Sequence, residues 1–204
     1  MKKSIIVVAS LLVVGALFLA GCQSKGDGEA NSEKVLRVGT EGTYSPFSFR
    51  DDNDKLTGYD VDVAKAVAKK INYKVKFVEA PWDSMLAAFD ANKSDVIFNQ
   101  VSITPERKEK YLFSTPYSVS HPALIVNKDN NEIKDFADLK GKTSAQSLTS
   151  NYAQMAEDLG AEISSVDGFS KAVELVGDNR ADATLNDDVT YYDYCLLYTS
   201  DAAD

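Results

Sequence analysis

The sequence predicts an α/β protein of two lobes, each a parallel sheet covered by helices, joined at a hinge. Three observations predict it. From Val35 onward, short alternating or apolar runs of strand type take turns with amphipathic stretches of helix type, the order that builds a parallel sheet. The same alternation begins again after the extended segment Leu112–Val126, in which Ser118, Val119 and Ser120 are hinge candidates. A chain that is 44% hydrophobic and 26% charged has an ordinary globular balance, with length for one large domain or two small lobes.

Val35 to Gly39 alternates as a strand, Thr40 to Pro46 is a loop, and Phe47 to Phe49 is a second extended piece. Asp51-Asp52-Asn53-Asp54 is a turn; it lacks the glycine and the closing glutamate of a calcium loop, so a solvated hairpin tip is expected. From Tyr59 the spacing turns helical: Val61, Ala64, Ala68 and Ile71, flanked by Val63 and Val67, form an apolar stripe opposite Lys65, Lys69 and Lys70. Tyr73, Val75 and Phe77 make a strand. Pro81 to Ser84 opens a helix with Met85, Leu86 and Phe89 inward, and Asp95 to Phe98 is the next strand. Thr104-Pro105 is an N-cap and first-turn pair.

In the second half, Ala123–Val126 is extended and Phe136–Lys142 is a short helical turn closing on Gly141. Thr143–Ser147 is a strand, Thr149-Ser150-Asn151 offers caps for a helix through Leu159, and Ile163–Val166, Phe169–Val176 and Ala183–Leu185 complete strand, helix and strand. Ligands of such sheets gather beyond the carboxyl ends of the strands, which singles out Glu41 to Tyr44, Pro81-Trp82 and Asn99 to Ser102.

The ends and the charge bound the context. Lys2 and Lys3 precede an apolar run from Ile5 to Ala20, the order of a signal peptide and shorter than the ~20 residues of a spanning helix. Leu19-Ala20-Gly21-Cys22 matches the bacterial lipobox, so residues 1–21 are read as a lipoprotein signal, Cys22 as the lipidated residue and residues 22–34 as a tether; an ordinary secretory signal is the alternative. With Cys22 so used, no disulfide framework and no thiolate metal site can be built. The net charge of −9, with no basic patch, argues against nucleic acid.

Local patterns also mark site candidates. Arg107 falls in the first turn of its helix, where a cation meets the positive end of the dipole; either an anionic ligand repairs that mismatch or Glu106 to Lys110 is a solvated charged face. Trp82 at a helix start is core or pocket wall, Asp187 is an N-cap in Asn186-Asp187-Asp188 or a site acid, and His121 before Pro122 is a solvent-facing turn residue.

Gly58 to Ile71 resembles, at every position, the signature helix of the extracytoplasmic solute-binding proteins of polar amino-acid ABC transporters. The likeness runs from about Val35 to Tyr194, through Ser102–Arg107, Phe113–Tyr117 and Asp138–Lys142. Asn99-Gln100-Val101 and Ser147–Tyr152 look most like the cystine-binding branch. The resemblance implies a type II periplasmic-binding-protein fold, with lobe 1 at 35–118 and lobe 2 at 119–194. It implies that Arg107 clamps the α-carboxylate of an amino acid together with the Ser102 N–H, Ser150 and Asn151. Asp187 takes the α-ammonium with a carbonyl near Gln100; Tyr44 and Trp82 wall the side chain; Asn99 and Glu41 lie in the same site, with Glu41 tuning side-chain choice. The implied mechanism is capture by closure of a monomer, without a cofactor and without bond making, for delivery to a permease whose partner subunits hydrolyse ATP. The rival reading is an exported dehydratase of the cyclohexadienyl or arogenate type on the same scaffold, with Glu41 as its acid or base. Past Tyr194 the likeness stops, so residues 195–204 are read as a non-family tail without assigned structure and lobe 2 as incomplete.

Overall fold

The computed structural model describes residues 34–199. The signal segment, Cys22, the tether up to residue 33 and residues 200–204 lie outside the described residues.

The first lobe is built around β1 (Val35–Thr40). A small antiparallel sheet follows, β2 (Thr43–Tyr44), β3 (Ser48–Arg50) and β4 (Leu56–Thr57), so the segment read as a loop before Phe47 itself contributes a strand. The turn between β3 and β4 closes on Asp51, whose Oδ1 accepts the Asn53 and Lys55 N–H groups, the Asx chemistry expected of a hairpin tip. Then come α1 (Tyr59–Lys70), β5 (Lys74–Glu79), α2 (Trp82–Asp90), β6 (Val96–Ile97) and the short α3 (Pro105–Lys110). The main sheet is parallel, in the order β5-β1-β6, with Val38 and Thr40 of β1 fully buried.

α1 buries Val61, Ala64 and Ala68 as its spacing predicts, but Val67 and Ile71 are 40% and 48% exposed, so the buried stripe is narrower than the apolar one. Asp60, which looks like a dipole-complementing residue of the first turn, is fully buried instead. It accepts the backbone N–H of Gln100 (2.8 Å), the Gln100 amide (2.7 Å) and the Tyr117 hydroxyl (3.0 Å), and thereby ties α1 to both sides of the α3 excursion. Burial pushes its carboxyl above the usual range while the three donors hold it down. Gly58, the N-cap of α1, sits at φ +120°, and a Cβ there would collide with the Phe47 carbonyl. Gly58→Ala is expected to lower stability by more than about 2 kcal/mol in urea unfolding, because neither the backbone nor that carbonyl can yield cheaply.

The second lobe comprises β7 (Pro122–Val126), a 3-10 turn (Phe136–Leu139), β8 (Thr143–Gln146), α4 (Asn151–Asp158), β9 (Glu162–Ser165), α5 (Phe169–Gly177), β10 (Ala183–Asp187) and α6 (Asp188–Thr199). Its sheet order is β7-β10-β8-β9. β10, β8 and β9 are parallel neighbours, but β7 runs antiparallel to β10, so the sheet is mixed and the two lobes differ in architecture. β7 enters from the interlobe segment and not from a βα crossover, so nothing requires it to run parallel. One apolar cluster joins Ile133, Leu139, Ala156, Ala161, Ala183 and Leu185 beneath α4, and another joins Ala145, Ala172, Val176 and Ala181 beneath α5.

Residues from Cys195, expected to carry no structure, instead continue α6 as far as Thr199. No glycine or proline stops the helix there. Among the described residues no helix is long and apolar enough to cross a membrane.

Candidate functional site

The strands of both lobes deliver their carboxyl ends to one cavity, as open α/β sheets do. From the first lobe come Glu41 after β1, Trp82 after β5, and Asn99, Gln100 and Ser102 after β6; from the second come Gln146 and Ser147 at the end of β8, Ser150, Asn151 and Tyr152 at the start of α4, and Asn186 and Asp187 at the end of β10. Tyr44 completes the wall. Nine of the ten residues expected to bind ligand, all but Arg107, therefore line one cavity of about 60 Å³.

Arg107 stands at its edge. Its backbone N–H is taken by the Thr104 side chain (3.2 Å), as the N-cap pattern predicts. Its guanidinium spans the lobes: Nη1 donates to the Ser102 carbonyl (3.1 Å), Nη2 donates to the Thr149 carbonyl (3.2 Å), and the group stacks 5.3 Å from the centre of the Trp82 ring. The solvated-face alternative does not describe this geometry. Arg107 makes no ion pair among the described residues, and burial lowers its pKa from the usual guanidinium value. A half-buried fork satisfied by two carbonyl dipoles retains donors for an anion. Ser102, whose N–H is expected to join Arg107 on the ligand, also holds the guanidinium through its carbonyl.

The opposite charge is Asp187, 5% exposed. It stands directly before α6, where an N-cap would, but its carboxylate accepts three hydroxyls, from Tyr44 (2.6 Å), Ser120 (2.5 Å) and Tyr152 (2.5 Å), and pairs with no cation among the described residues. The Tyr44 hydroxyl shares its one proton between Asp187 and the Asn186 Oδ1 at 2.7 Å, so Tyr44 reaches across to the acid as well as walling the cavity.

Trp82 is 9% exposed and its Nε1 has no acceptor among the described residues. Asn99 is 1% exposed and occupied within its own lobe: its Oδ1 accepts from Thr40 and from the Glu41 N–H (2.8 Å), and its Nδ2 donates to Glu41 (2.7 Å). Asn99 thus aims Glu41. Burial pushes the Glu41 carboxyl up to about 7, the Asn99 amide opposes the rise, and the charges of Asp167 and Asp83 add to it. Gln100 is the one non-glycine residue of the cavity wall in left-handed backbone, at φ +48°, held there by Asp60 and by Ser118, which donates to its side-chain oxygen (2.6 Å). At the start of α4, Ser150 caps Ala153 (2.9 Å), leaving the first-turn N–H groups of Asn151 and Tyr152 for another acceptor. His121 is a surface residue, paired with Asp188 at 3.4 Å and 79% exposed.

Sequence reasoning missed the interlobe latch. The Asp83 carboxylate accepts both the N–H (2.9 Å) and the hydroxyl (2.8 Å) of Thr149, whose carbonyl is already held by Arg107. It also missed Tyr152, Ser120 and Asn186 around Asp187. Asp83, Thr149 and Tyr152 all read locally as helix-start residues, and that signal says nothing of partners in the other lobe.

Residues 36–189 match the family described as bacterial extracellular solute-binding proteins, family 3. A probable amino-acid ABC transporter-binding protein of Haemophilus influenzae is 44% identical over 196 residues, covering 95% of this chain and 76% of that one. The L-cystine-binding protein TcyA of Bacillus subtilis is 45% identical over 206 residues, again covering 95% of this chain and 76% of that one. Among solved structures, an ancestral arginine-binding protein bound to arginine superposes with a TM-score of 0.75 at 39% identity, covering 81% of this chain and 75% of that one. An ancestral amino acid-binding protein described as a precursor of cyclohexadienyl dehydratase gives a TM-score of 0.74 at 39% identity, covering 80% and 74%.

Proposed function

The chain belongs to the bacterial extracellular solute-binding proteins of family 3, and from that premise we propose that it captures a polar amino acid, cystine first, for an ABC importer. It is a binding protein and not an enzyme, like its relatives in Haemophilus influenzae and Bacillus subtilis, and the dehydratase alternative is set aside.

One observation carries the reading. A guanidinium and a carboxylate, neither neutralised by an opposite charge among the described residues, stand at one cavity walled from both lobes. A zwitterion supplies the two missing counter-charges at once. Its α-carboxylate meets the Arg107 fork, the Asn151 and Tyr152 N–H groups and the indole N–H of Trp82. Its α-ammonium meets Asp187, displacing some of the three hydroxyls. Glu41 faces whatever the side chain carries. Closure swings the lobes, 35–118 and 119–194, about residues 118–120, and the Asp83–Thr149 and Arg107–Thr149 bonds form only when they meet. Cystine is preferred because TcyA, a relative at 45% identity, is described as L-cystine-binding and because the Asn99–Val101 and Ser147–Tyr152 segments resemble that branch. In the cell the protein works as a monomer, outside the cytoplasmic membrane, anchored through lipid on Cys22 beside a permease and its ATPase subunits.

Titration calorimetry and thermal melting with cystine, other polar amino acids and a prephenate-like acid test this. Cystine at ~100 times its Kd stabilises by about 2.7 kcal/mol and raises the melting temperature accordingly. Turnover of the acid with no shift by any amino acid would overturn the proposal.

A further inference from the structure

Capture as described leaves a buried carboxylate unused. Asp60, the second residue of α1, is fully buried and forms no part of the cavity wall, yet it is bonded to a residue that does. Its Oδ2 accepts the backbone N–H of Gln100 (2.8 Å) and its Oδ1 accepts the Gln100 amide (2.7 Å), so one acid holds the main chain and the side chain of the same residue. Gln100 needs holding. Left-handed backbone is unfavourable for a residue with a Cβ, and Gln100 adopts it at φ +48° where the chain leaves β6 for Ser102 and Arg107.

The same grip reaches the passage between the lobes. Tyr117 is held twice by the start of α1: its hydroxyl donates to Asp60 (3.0 Å) and its carbonyl accepts the Tyr59 hydroxyl (2.8 Å). Ser118 donates to the Gln100 side-chain oxygen (2.6 Å), while Ser120, two residues on, donates to Asp187 in the second lobe. The passage is thus fastened to lobe 1 at residues 117 and 118 and to lobe 2 at residue 120. The serine on each side ends on a residue of the cavity wall, Gln100 in one lobe and Asp187 in the other.

We propose that Asp60 is a positioning residue of the binding site. It fixes the Gln100 turn before a ligand arrives, and through Tyr117 and Gln100 it fixes the lobe 1 end of the passage, so affinity depends on an acid that no ligand touches. Acceptor capacity is the chemical requirement. Three donors converge on Asp60, and alanine in its place leaves the Gln100 N–H without its partner. Asparagine meets the requirement in another way: its one oxygen takes the Gln100 N–H, while the Gln100 amide turns over to accept from the new NH2 and to donate to Ser118. The inference rests on the reading that the cavity takes an amino acid.

The test is calorimetry on the full chain with cystine as the probe, well below the melting temperature, together with hydrogen exchange of the Gln100 amide in the unliganded protein. Asp60→Ala is expected to weaken cystine binding about tenfold, because a turn that is competent in about one molecule in ten lowers the apparent affinity by that factor, and to remove protection of the Gln100 amide. Asp60→Asn is expected to bring affinity back to within about threefold of the parent and to restore protection. Should Asp60→Ala lack a cooperative melting transition, Tyr117→Phe combined with Ser118→Ala cuts the network outside the cavity and keeps an aromatic ring against Phe98. That double variant is expected to weaken binding about threefold or more. A folded Asp60→Ala variant, or the double variant in its place, that binds cystine as the parent does would overturn the positioning role and leave the reading of the cavity standing. If the parent binds no amino acid, the reading of the cavity falls and the positioning role with it.

Discussion

Arg107→Ala is expected to weaken amino-acid binding by about a hundredfold or more while the protein remains folded. The guanidinium is half-buried, makes no ion pair among the described residues, and is held by two carbonyls and the Trp82 ring. Removing it leaves the ligand carboxylate in a partly desolvated site without its charge partner, a loss of the kind that costs 2–5 kcal/mol or more in buried charged pairs. Folding loses two hydrogen bonds to carbonyls and one stacking contact but is relieved of a desolvated cation, so the melting temperature of the unliganded protein is expected to move by only a few degrees. Arg107→Lys keeps the charge and loses the fork, and its affinity should lie between the two. Calorimetry on the three proteins measures the series; an affinity unchanged in the alanine variant would remove the carboxylate assignment.

Affinity for cystine is expected to fall as the pH drops below about 7, by as much as ~10-fold per unit, through Glu41. Burial holds this carboxyl protonated up to about 7. A side-chain ammonium facing it needs it ionised, so binding releases a proton and weakens as that proton becomes harder to remove. Stability of the unliganded protein runs the other way. Between about pH 4.5, where the unfolded residue loses its proton, and about 7, where the folded one does, the folded state binds more protons, so Glu41 makes stability fall as the pH rises across that window. The full effect is on the order of 3 kcal/mol. Glu41→Gln should flatten both profiles: cystine affinity becomes independent of pH between 5 and 8, and the variant gains stability over the parent at pH 8 but not at pH 4. Calorimetry in buffers of different ionisation enthalpy counts the released proton. A parent protein that binds cystine equally at pH 5 and 8 would remove Glu41 from the site.

Several site residues were legible in the sequence because strand ends announce themselves. An apolar run that stops at Thr40, Ala80 or Phe98 places the next residues beyond the carboxyl edge of a sheet, and that is where Glu41, Trp82 and Asn99 are found. Thr104 and Ser150 read as caps and are caps, since capping depends on neighbours within three residues. Asp60 was not legible. An acid in the first turn of a helix has a sufficient local explanation in the dipole, and its burial depends on Gln100 and Tyr117, 40 and 57 residues away. That Asn99 bonds Thr40 and Glu41 through both ends of its amide was not legible either, since Thr40 and Glu41 lie 58 or more residues away.

By itself the sequence determined the alternation of elements, the caps, the strand ends that supply most of the cavity wall, and the family to which the chain belongs; all of these reside in periodicity and short-range chemistry. Tertiary structure alone decided that β7 runs antiparallel, that Asp83 and Arg107 both close on Thr149, that three hydroxyls and, among the described residues, no cation surround Asp187, and that Asn99 holds Glu41 at the cavity wall. The physical reason is that a buried charge is defined by what faces it from another element, and hydrogen-bond partners far apart along the chain leave no mark on the local pattern of either.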